Sequence, residues 1–459
     1  MKDLYKNKKV LIFGLGLNDG GLGMTEFFAN QGALVTVTDN KHADDLQVTL
    51  DKLSSYPNIT YHLGEIHESD FIDNDVIVQN PAIKSDNKYI VLARSLNKTI
   101  EMEMSLVHKL CPCPIIGITG TRGKSTTSAL TFEFLKKEFG DRVVLGGNIG
   151  KSAIRELPKL TKDNIVVLEL SSFQLDTMGK SGVSPNFALV TNMYPDHLNW
   201  HIDMADYIAA KKNIFLHQKF GDTTVFNLDN EITNEFTHEV KSKLVTFSLK
   251  NHTADYYMDD SRNVYERGSF LLDAGKALLT GEHNKYNILA AVSLARQFNA
   301  SVNSILEVLK NYSGLAGRQQ LVREINGVKY INDTTATSVE AMLALFERFG
   351  SDYSKRLILI SGSVDKGLDY SRVSDLLAEH CKVLVLFEGT ASEKIASAVD
   401  GASLKIEKYF NTMRDAVLKA SSIADSGDVV ILCPGAASFN MFKNEFDRGA
   451  QFDEVVKSL

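Results

Sequence analysis

Along most of the chain, short apolar runs alternate with longer stretches whose apolar residues recur at helical spacing. Val10-Leu11-Ile12-Phe13 opens the pattern, residues 34–38 and 76–79 repeat it, and a helix is expected over 23–31. A helix over 101–110 leads into a second series of apolar runs, from 115 and then at 142–145, 165–170, 187–191, 223–227 and 244–247. Residues 253–280 alternate polar and apolar between short turns, as a small antiparallel insertion does, and 284–298 reads as an amphipathic helix. After 314–318 the alternation restarts, with strands over 328–331, 357–360, 383–387 and 429–433 and helices over 339–349, 371–379 and 413–421. Fully apolar strands separated by helices predict an α/β fold with mainly parallel sheets covered on both faces. Breaks near 100 and 314 divide the chain into three domains, 1–100, 101–314 and 315–459, and the first and last read as Rossmann-like.

Composition narrows the class without naming a chemistry. The 459 residues are 44% hydrophobic and 23% charged, an ordinary globular balance. A formal net charge of −7 and the lack of a basic run argue against nucleic-acid binding. No run is long and apolar enough for a membrane span, and Met1-Lys2-Asp3-Leu4-Tyr5-Lys6 lacks the apolar core of a signal peptide. Four cysteines in this length fit a reducing compartment, so a cytoplasmic location is expected. Cys111 and Cys113 flank Pro112 with no neighbouring ligand, and they read as small packing residues rather than a metal site.

The candidate chemistry starts at Ile115-Ile-Gly117-Ile-Thr119-Gly120-Thr121-Arg122-Gly123-Lys124-Ser125-Thr126-Thr127. Strand, glycine turn, Lys-Ser and then a helical pattern from Ser128 is the arrangement of a phosphate-binding loop, which makes the central domain P-loop ATPase-like. Glycines let backbone N–H groups crowd around phosphate oxygens, the lysine reaches the outer phosphates and the hydroxyl after it can ligate Mg²⁺. The strict motif wants a glycine where Ile118 stands, so an ordinary strand-to-helix turn stays open as the rival reading. Glu169 ends the apolar run of 165–170, where an acid can face the same crevice and hold Mg²⁺ or can pair with a surface base. His197 follows Asp196 just past another strand, and the helical segment Tyr207-Ile-Ala-Ala-Lys211-Lys212 comes next. A lysine beside a Mg²⁺ site makes electrostatic sense only if its charge is removed or inverted, as a carbamate would do. In the first domain, Gly14-Leu15-Gly16 followed by an acid at Asp39 hints at dinucleotide binding, but Asp19 stands where the third glycine belongs.

Together these stretches resemble the Mur ligases, the ATP-dependent amide-forming enzymes of peptidoglycan precursor synthesis, over essentially the whole chain. The family's Thr-Gly-Thr-x-Gly-Lys-Ser/Thr loop matches Thr119 to Ser125. The resemblance implies ATP contacts at Gly120, Thr121, Arg122, Gly123, Lys124, Ser125, Thr126, Asn284, Asn287, Arg318 and Asp333. It implies Mg²⁺, with two ions expected, on Ser125, Glu169, His197 and carbamylated Lys211, and it places Lys124, His197 and Lys211 at the chemistry. Ile331-Asn-Asp333-Thr-Thr335-Ala-Thr337-Ser338, Leu170-Ser-Ser-Phe-Gln-Leu175, Gly147-Asn148-Ile149-Gly150 and Pro434-Gly-Ala-Ala-Ser438 are similar to the D-glutamate-adding branch. That likeness implies transfer of D-glutamate to UDP-N-acetylmuramoyl-L-alanine through an acyl phosphate, by a monomer whose domains close around the substrates. The UDP-substrate would meet Gly16, Leu17, Asn18, Asp39 and Asn148, and the D-glutamate carboxylates Thr337, Lys366 and Ser438.

The chain departs from the family pattern at named places. Thr335 stands where lysine is usual, Arg122 replaces asparagine in the loop, and Asn80-Pro81-Ala82 replaces Ser-Pro-Gly. The loop 17–21 is longer than usual, and the aromatic after Lys443-Asn444 is displaced to Phe446 by Glu445. Rival readings are another Mur-type ligase, a folylpolyglutamate-type ligase, which has no place for residues 1–100, and an NAD(P)-binding protein that is not a ligase.

Overall fold

In the computed structural model, residues 4–16, 19–81, 83–84, 86–149, 152–196, 200–365, 367–438 and 441–459 are described, without the side chains of 19 and 340. The chain divides into two compact units, Met1–Asn311 and Tyr312–Leu459.

The first unit holds two sheets. In one, β1 (Lys9–Phe13), β2 (Leu34–Asp39), β3 (Ile59–Leu63), β4 (Val76–Gln79) and β5 (Thr99–Glu101) lie in the order β3-β2-β1-β4-β5, all parallel. The other takes β6 (Ile115–Thr119), β7 (Val143–Gly147), β8 (Ile165–Glu169), β9 (Phe187–Val190), β10 (Thr223–Asn227), β11 (Lys243–Ser248), β12 (Tyr256–Met258), β13 (Asn263–Glu266) and β14 (Ser269–Asp273). Their order is β14-β13-β12-β11-β10-β9-β6-β8-β7, and β6 to β12 run parallel. Within 253–280 the expected antiparallel insertion is present: β13 runs antiparallel to both β12 and β14, and β12 joins this meander to the parallel sheet beside β11. Every residue of β6, β8 and β10 is buried, the condition under which a strand reads as a continuous apolar run. A single apolar cluster runs from Val10, Val35 and Val78 of the first sheet to Ile115, Leu168 and Phe226 of the second.

Connections leave β6 in both directions: β8 and β7 lie on one side, and β9 with the rest on the other. In open α/β sheets such a reversal leaves a crevice at the carboxyl ends of the strands. The helix Lys124–Phe139 starts at that crevice, four residues earlier than the apolar pattern suggests, because Gly123 takes a left-handed conformation (φ +81°) and caps it directly.

The second unit has one sheet of β15 (Gln320–Ile325), β16 (Val328–Asn332), β17 (Leu357–Ser361), β18 (Cys381–Phe387), β19 (Lys405–Phe410) and β20 (Val429–Leu432) in the order β15-β16-β20-β17-β18-β19. Only β15 is antiparallel to its neighbour. Apolar clusters cover both faces, with Leu359 and Ile431 on one and Ile358, Ile360 and Leu432 on the other.

Candidate active site

The loop between β6 and the helix Lys124–Phe139 is held by a clamp from the segment after β9. Thr121 N–H donates to the Asn192 carbonyl (2.9 Å), and Arg122 N–H to Asn192 Oδ1 (2.9 Å). The Arg122 carbonyl accepts from Thr191 Oγ1 (2.6 Å) and Asn192 Nδ2 (3.1 Å), so the backbone of Arg122 is fixed while its side chain is exposed. A Cβ on Gly120 would stand 2.0 Å from Thr191 Oγ1, and one on Gly123 2.3 Å from Asn287 Oδ1, so only glycine lets the clamp close. Lys124 Nζ donates to the Thr121 carbonyl (2.9 Å), and Ser125 is buried at the first turn. Backbone N–H groups at a helix start carry partial positive charge, so this turn favours an anion.

Two further strand ends bring charge to the same crevice. Glu169, at the end of β8, is 1% exposed. Its Oε1 accepts from Asn148 Nδ2 (2.8 Å), while Oε2 is buried with no hydrogen-bond partner among the described residues. A buried carboxylate oxygen left unsatisfied is costly, so it marks a place where a cation fits. Asn148 thereby belongs to the Glu169 side of the site in this structure. The helix Met204–Lys212, capped by the Asp203 side chain on Asp206 N–H (2.8 Å), places Tyr207 and Lys211 one turn apart on one face. Tyr207 OH meets Thr121 Oγ1 (3.1 Å), and burial pushes the phenol up to about 12. Lys211 is 2% exposed, its Nζ donates to Thr119 Oγ1 (3.1 Å) and lies 5.0 Å from the Tyr207 ring centre. Burial first and the Lys124 cation second hold its amine well below the usual lysine range, against the pull of Asp196 and Glu169. His197 lies outside the described residues.

At the far side of the loop, Asn287 accepts from Thr127 Oγ1 (3.3 Å) and donates to Asn284 Oδ1 (3.0 Å), and Asn284 donates to the Thr280 carbonyl (2.8 Å). Both asparagines sit in the first two turns of the helix Glu282–Gln297, so that helix reads the loop through Thr127. Thr126 is half-buried beside them. In the first sheet, Asp39 closes the turn after β1: Oδ2 accepts from Gly16 N–H (2.9 Å) and Oδ1 from Lys41 N–H (3.0 Å). Asn80 Nδ2 donates to the Gly14 carbonyl (3.0 Å). Leu17 and Asn18 lie outside the described residues.

In the second unit, Asp333 is buried just past β16 and accepts from Gln319 N–H (3.1 Å). Burial pushes its carboxyl up to about 7, against the Gln319 N–H and the Arg318 and Arg348 guanidiniums. Arg318 is exposed, Thr337 half-buried and Ser438 buried; Lys366 lies outside the described residues. Thr335 Oγ1 donates to the Gly317 carbonyl (3.0 Å), so this residue ties two loops where a lysine would carry charge. Between an unfolded carboxylate value of about 4 and about 7, the folded chain keeps a proton on Asp333 that the unfolded chain has released. Stability contributed by that carboxyl is therefore full below about pH 4 and lost as pH rises through about 7. Asp333→Asn is expected to flatten the dependence of unfolding free energy on pH in that window by up to ~1.4 kcal/mol per pH unit. Denaturant titrations at several pH values test this, and equal slopes for the two proteins would refute the assignment.

Asn192 and His201 are site residues that the sequence reading did not single out. His201 is buried, shares hydrogen bonds with Ser172 Oγ (2.9 Å) and Asp206 Oδ2 (3.0 Å), and stacks on Phe173. No spacing rule links it to a serine 29 positions earlier, and the Asn192 side chain bonds the backbone of Arg122, 70 positions away, a partner that no sequence pattern names.

Three family models match the chain: "Mur ligase MurD-like, N-terminal domain" over residues 8–102, "Mur ligase middle domain" over 118–295 and "Mur ligase, glutamate ligase domain" over 317–436. The UDP-N-acetylmuramoylalanine–D-glutamate ligase of Roseiflexus sp. is 38% identical, covering 98% of this chain and 99% of its own. The protein of that name from Clostridium tetani is 36% identical over 100% and 98%. Among solved structures, the UDP-N-acetylmuramate–alanine ligase of Thermotoga maritima matches with a TM-score of 0.62 over 98% of this chain and 99% of its own; at 19% identity that is a likeness of fold.

Proposed function

The chain belongs to the Mur ligase family, and we propose that it joins D-glutamate to UDP-N-acetylmuramoyl-L-alanine with ATP as the energy source, in peptidoglycan precursor synthesis. The observation that carries this reading is the full-length likeness, at 36–38% identity, to relatives that bear the name of that reaction. The geometry of the crevice supports the chemistry.

ATP sits with its phosphates on Gly120 to Thr126, under Lys124 and the first N–H groups of the helix. Mg²⁺, two ions in this reading, would be held by Ser125, Glu169, His197 and Lys211 as its carbamate, and supplies positive charge to phosphate oxygens. The free Glu169 Oε2, and a Lys211 Nζ whose partner among the described residues is the Thr119 hydroxyl rather than a carboxylate, support that donor set. The alanine carboxylate oxygen attacks the γ-phosphorus, and ADP leaves from an acyl phosphate. Lys124 balances charge on the transferred phosphoryl oxygens, the electrostatic contribution expected of such a lysine. The D-glutamate amine then attacks the acyl carbonyl, loses a proton and expels phosphate, leaving the amide. Thr337, Lys366 and Ser438 hold the glutamate carboxylates, and Gly16, Leu17, Asn18, Asp39 and Asn148 the UDP-substrate. Asn284, Asn287, Arg318 and Asp333 complete the ATP contacts. Residues 1–100, 101–314 and 315–459 serve the UDP-substrate, ATP and the amino acid in turn, in a cytoplasmic monomer.

The test is phosphate release from ATP by purified protein. Release is expected only when UDP-N-acetylmuramoyl-L-alanine and D-glutamate are both present, with L-glutamate, L-lysine and L-alanine inactive. Release with another amino acid and none with D-glutamate would move the chain to a different reaction.

A further inference from the structure

At the opposite end of the central sheet, a cleft of 450 Å³ opens among His108, Cys111, Cys113, Ile115, Phe187 and Asp222. Ile115 and Phe187 begin β6 and β9, and Asp222 precedes β10, so the cleft lies at the amino ends of the strands whose carboxyl ends form the phosphate crevice. Pro112 sets the local geometry. Cys111 ends the helix Glu103–Leu110 with its N–H on the Val107 carbonyl (2.9 Å), and the proline holds it in an extended conformation (φ −67°, ψ 125°). The chain bends back so that the two thiols face each other, Sγ to Sγ 3.3 Å. Cys111 is half-exposed and its Sγ also approaches the Cys113 carbonyl (3.4 Å), while Cys113 is buried against the core. The remaining cysteines, Cys381 and Cys433, are fully buried in the other unit.

We infer that Cys111 and Cys113 form a redox-active dithiol site that exchanges with small-molecule disulfides of the glutathione-disulfide class. The placement has the parts that thiol–disulfide exchange needs: an accessible sulfur, a second sulfur behind it and room for the incoming molecule. Cys111 gives its thiol proton to water, and its thiolate attacks one sulfur of the small disulfide. That S–S bond breaks, one thiolate leaves, and a mixed disulfide forms on Cys111. Cys113 loses its proton and attacks Cys111 Sγ, expelling the second small thiolate. Two cysteine thiols are oxidised to one disulfide, and one small disulfide is reduced to two thiols. The shared hydrogen bond favours this order of events: it holds the Cys111 thiol below the ordinary range and the Cys113 thiol above it. His108 lines the same cleft, with its Nε2 engaged with the Ser184 carbonyl (2.7 Å). The packing role expected of these cysteines holds for both, with Cys113 in the apolar cluster and Cys111 against it, and exchange is added to it.

The experiment incubates the full chain with glutathione disulfide, alkylates the remaining thiols and measures the mass of the peptide that carries both cysteines. In the wild type that peptide is expected to lose two hydrogens and to take up no alkylating agent, while Cys381 and Cys433 stay reduced. Without oxidant, Cys111 is expected to alkylate at least ~10-fold faster than Cys381. Cys113→Ser and Cys113→Ala are each expected to accumulate a stable glutathione adduct on Cys111. A wild-type peptide that keeps both thiols, or one that holds glutathione on Cys111 without resolving it, would overturn the inference, and neither readout depends on the variants folding. Ligase activity is not involved, so failure here leaves the proposed function standing.

Discussion

Lys124→Ala is expected to lower kcat for phosphate release by about 10²- to 10³-fold, the loss seen when one preorganised charge is removed from a reacting centre. Its thermal midpoint should stay close to that of the wild type. The reason is local. Lys124 is the first residue of its helix, directly after left-handed Gly123, and its half-buried stem lies along the loop. The ammonium bonds the Thr121 carbonyl at 2.9 Å, so it is already aimed into the turn that cradles the phosphates. Charge on the γ-phosphoryl oxygens is redistributed as the phosphoryl group transfers, and a fixed cation then stabilises the transition state more than bound ATP. The loss should therefore fall mainly on kcat rather than on the KM for D-glutamate. Lys124→Arg is not expected to restore the rate, because a planar guanidinium does not reproduce a compact point charge in a turn this tight. Steady-state assays at saturating substrates check the prediction. A Lys124→Ala enzyme within about threefold of wild-type kcat would remove the lysine from the chemistry.

What the sequence pattern reveals depends on burial. Strands β6, β8, β17 and β20 are buried along their whole length and read as unbroken apolar runs. β3, β15 and β19 escape the same reading because they lie at sheet edges with partly exposed residues throughout. Their apolar signal is diluted by the polar face that an edge strand keeps in water. The site divides in a similar way. Lys124 and Ser125 follow from glycine spacing, because a phosphate loop is contiguous in sequence. Glu169 follows from its position at a strand end, since parallel sheets put their ligands there. Its unsatisfied Oε2 is a property of packing in three dimensions, and no residue pattern encodes it. The Asn192 clamp on Arg122 and the contact of Lys211 with Thr119, 92 positions away, depend equally on strand order. Arg122 illustrates the limit well: its side chain suggests a new phosphate contact, whereas the structure gives its backbone the structural duty.

Lys211→Ala is expected to lose activity by at least ~10²-fold, with part of it restored by formate or acetate. An unmodified ammonium is poorly suited to this position. Among the described residues, Lys211 Nζ has a hydroxyl for a partner and no carboxylate within ion-pair distance, although the side chain is 2% exposed. Burial first and the nearby Lys124 cation second disfavour its charge, against the pull of Asp196 and Glu169, which shifts the balance toward the neutral amine. A neutral amine is the form that adds carbon dioxide. The nitrogen lone pair forms the N–C bond, a proton passes to water, and the product is a carbamate anion. An anion there faces Lys124 with opposite charge and supplies an oxygen donor on the same crevice as Glu169. Alanine leaves a gap that a small carboxylate can enter, and such a carboxylate presents the same oxygens. Lys211→Met fills the gap without the oxygens, so it should be inactive and resist rescue. Lys211→Ala removes a buried stem of the helix Met204–Lys212, so its thermal midpoint must be read beside its rate. Isotope-labelled bicarbonate should give a carbamate carbon signal in the wild type that is lost in Lys211→Ala. Full activity of Lys211→Ala would end the carbamate assignment, and so would a folded Lys211→Ala that no small carboxylate revives.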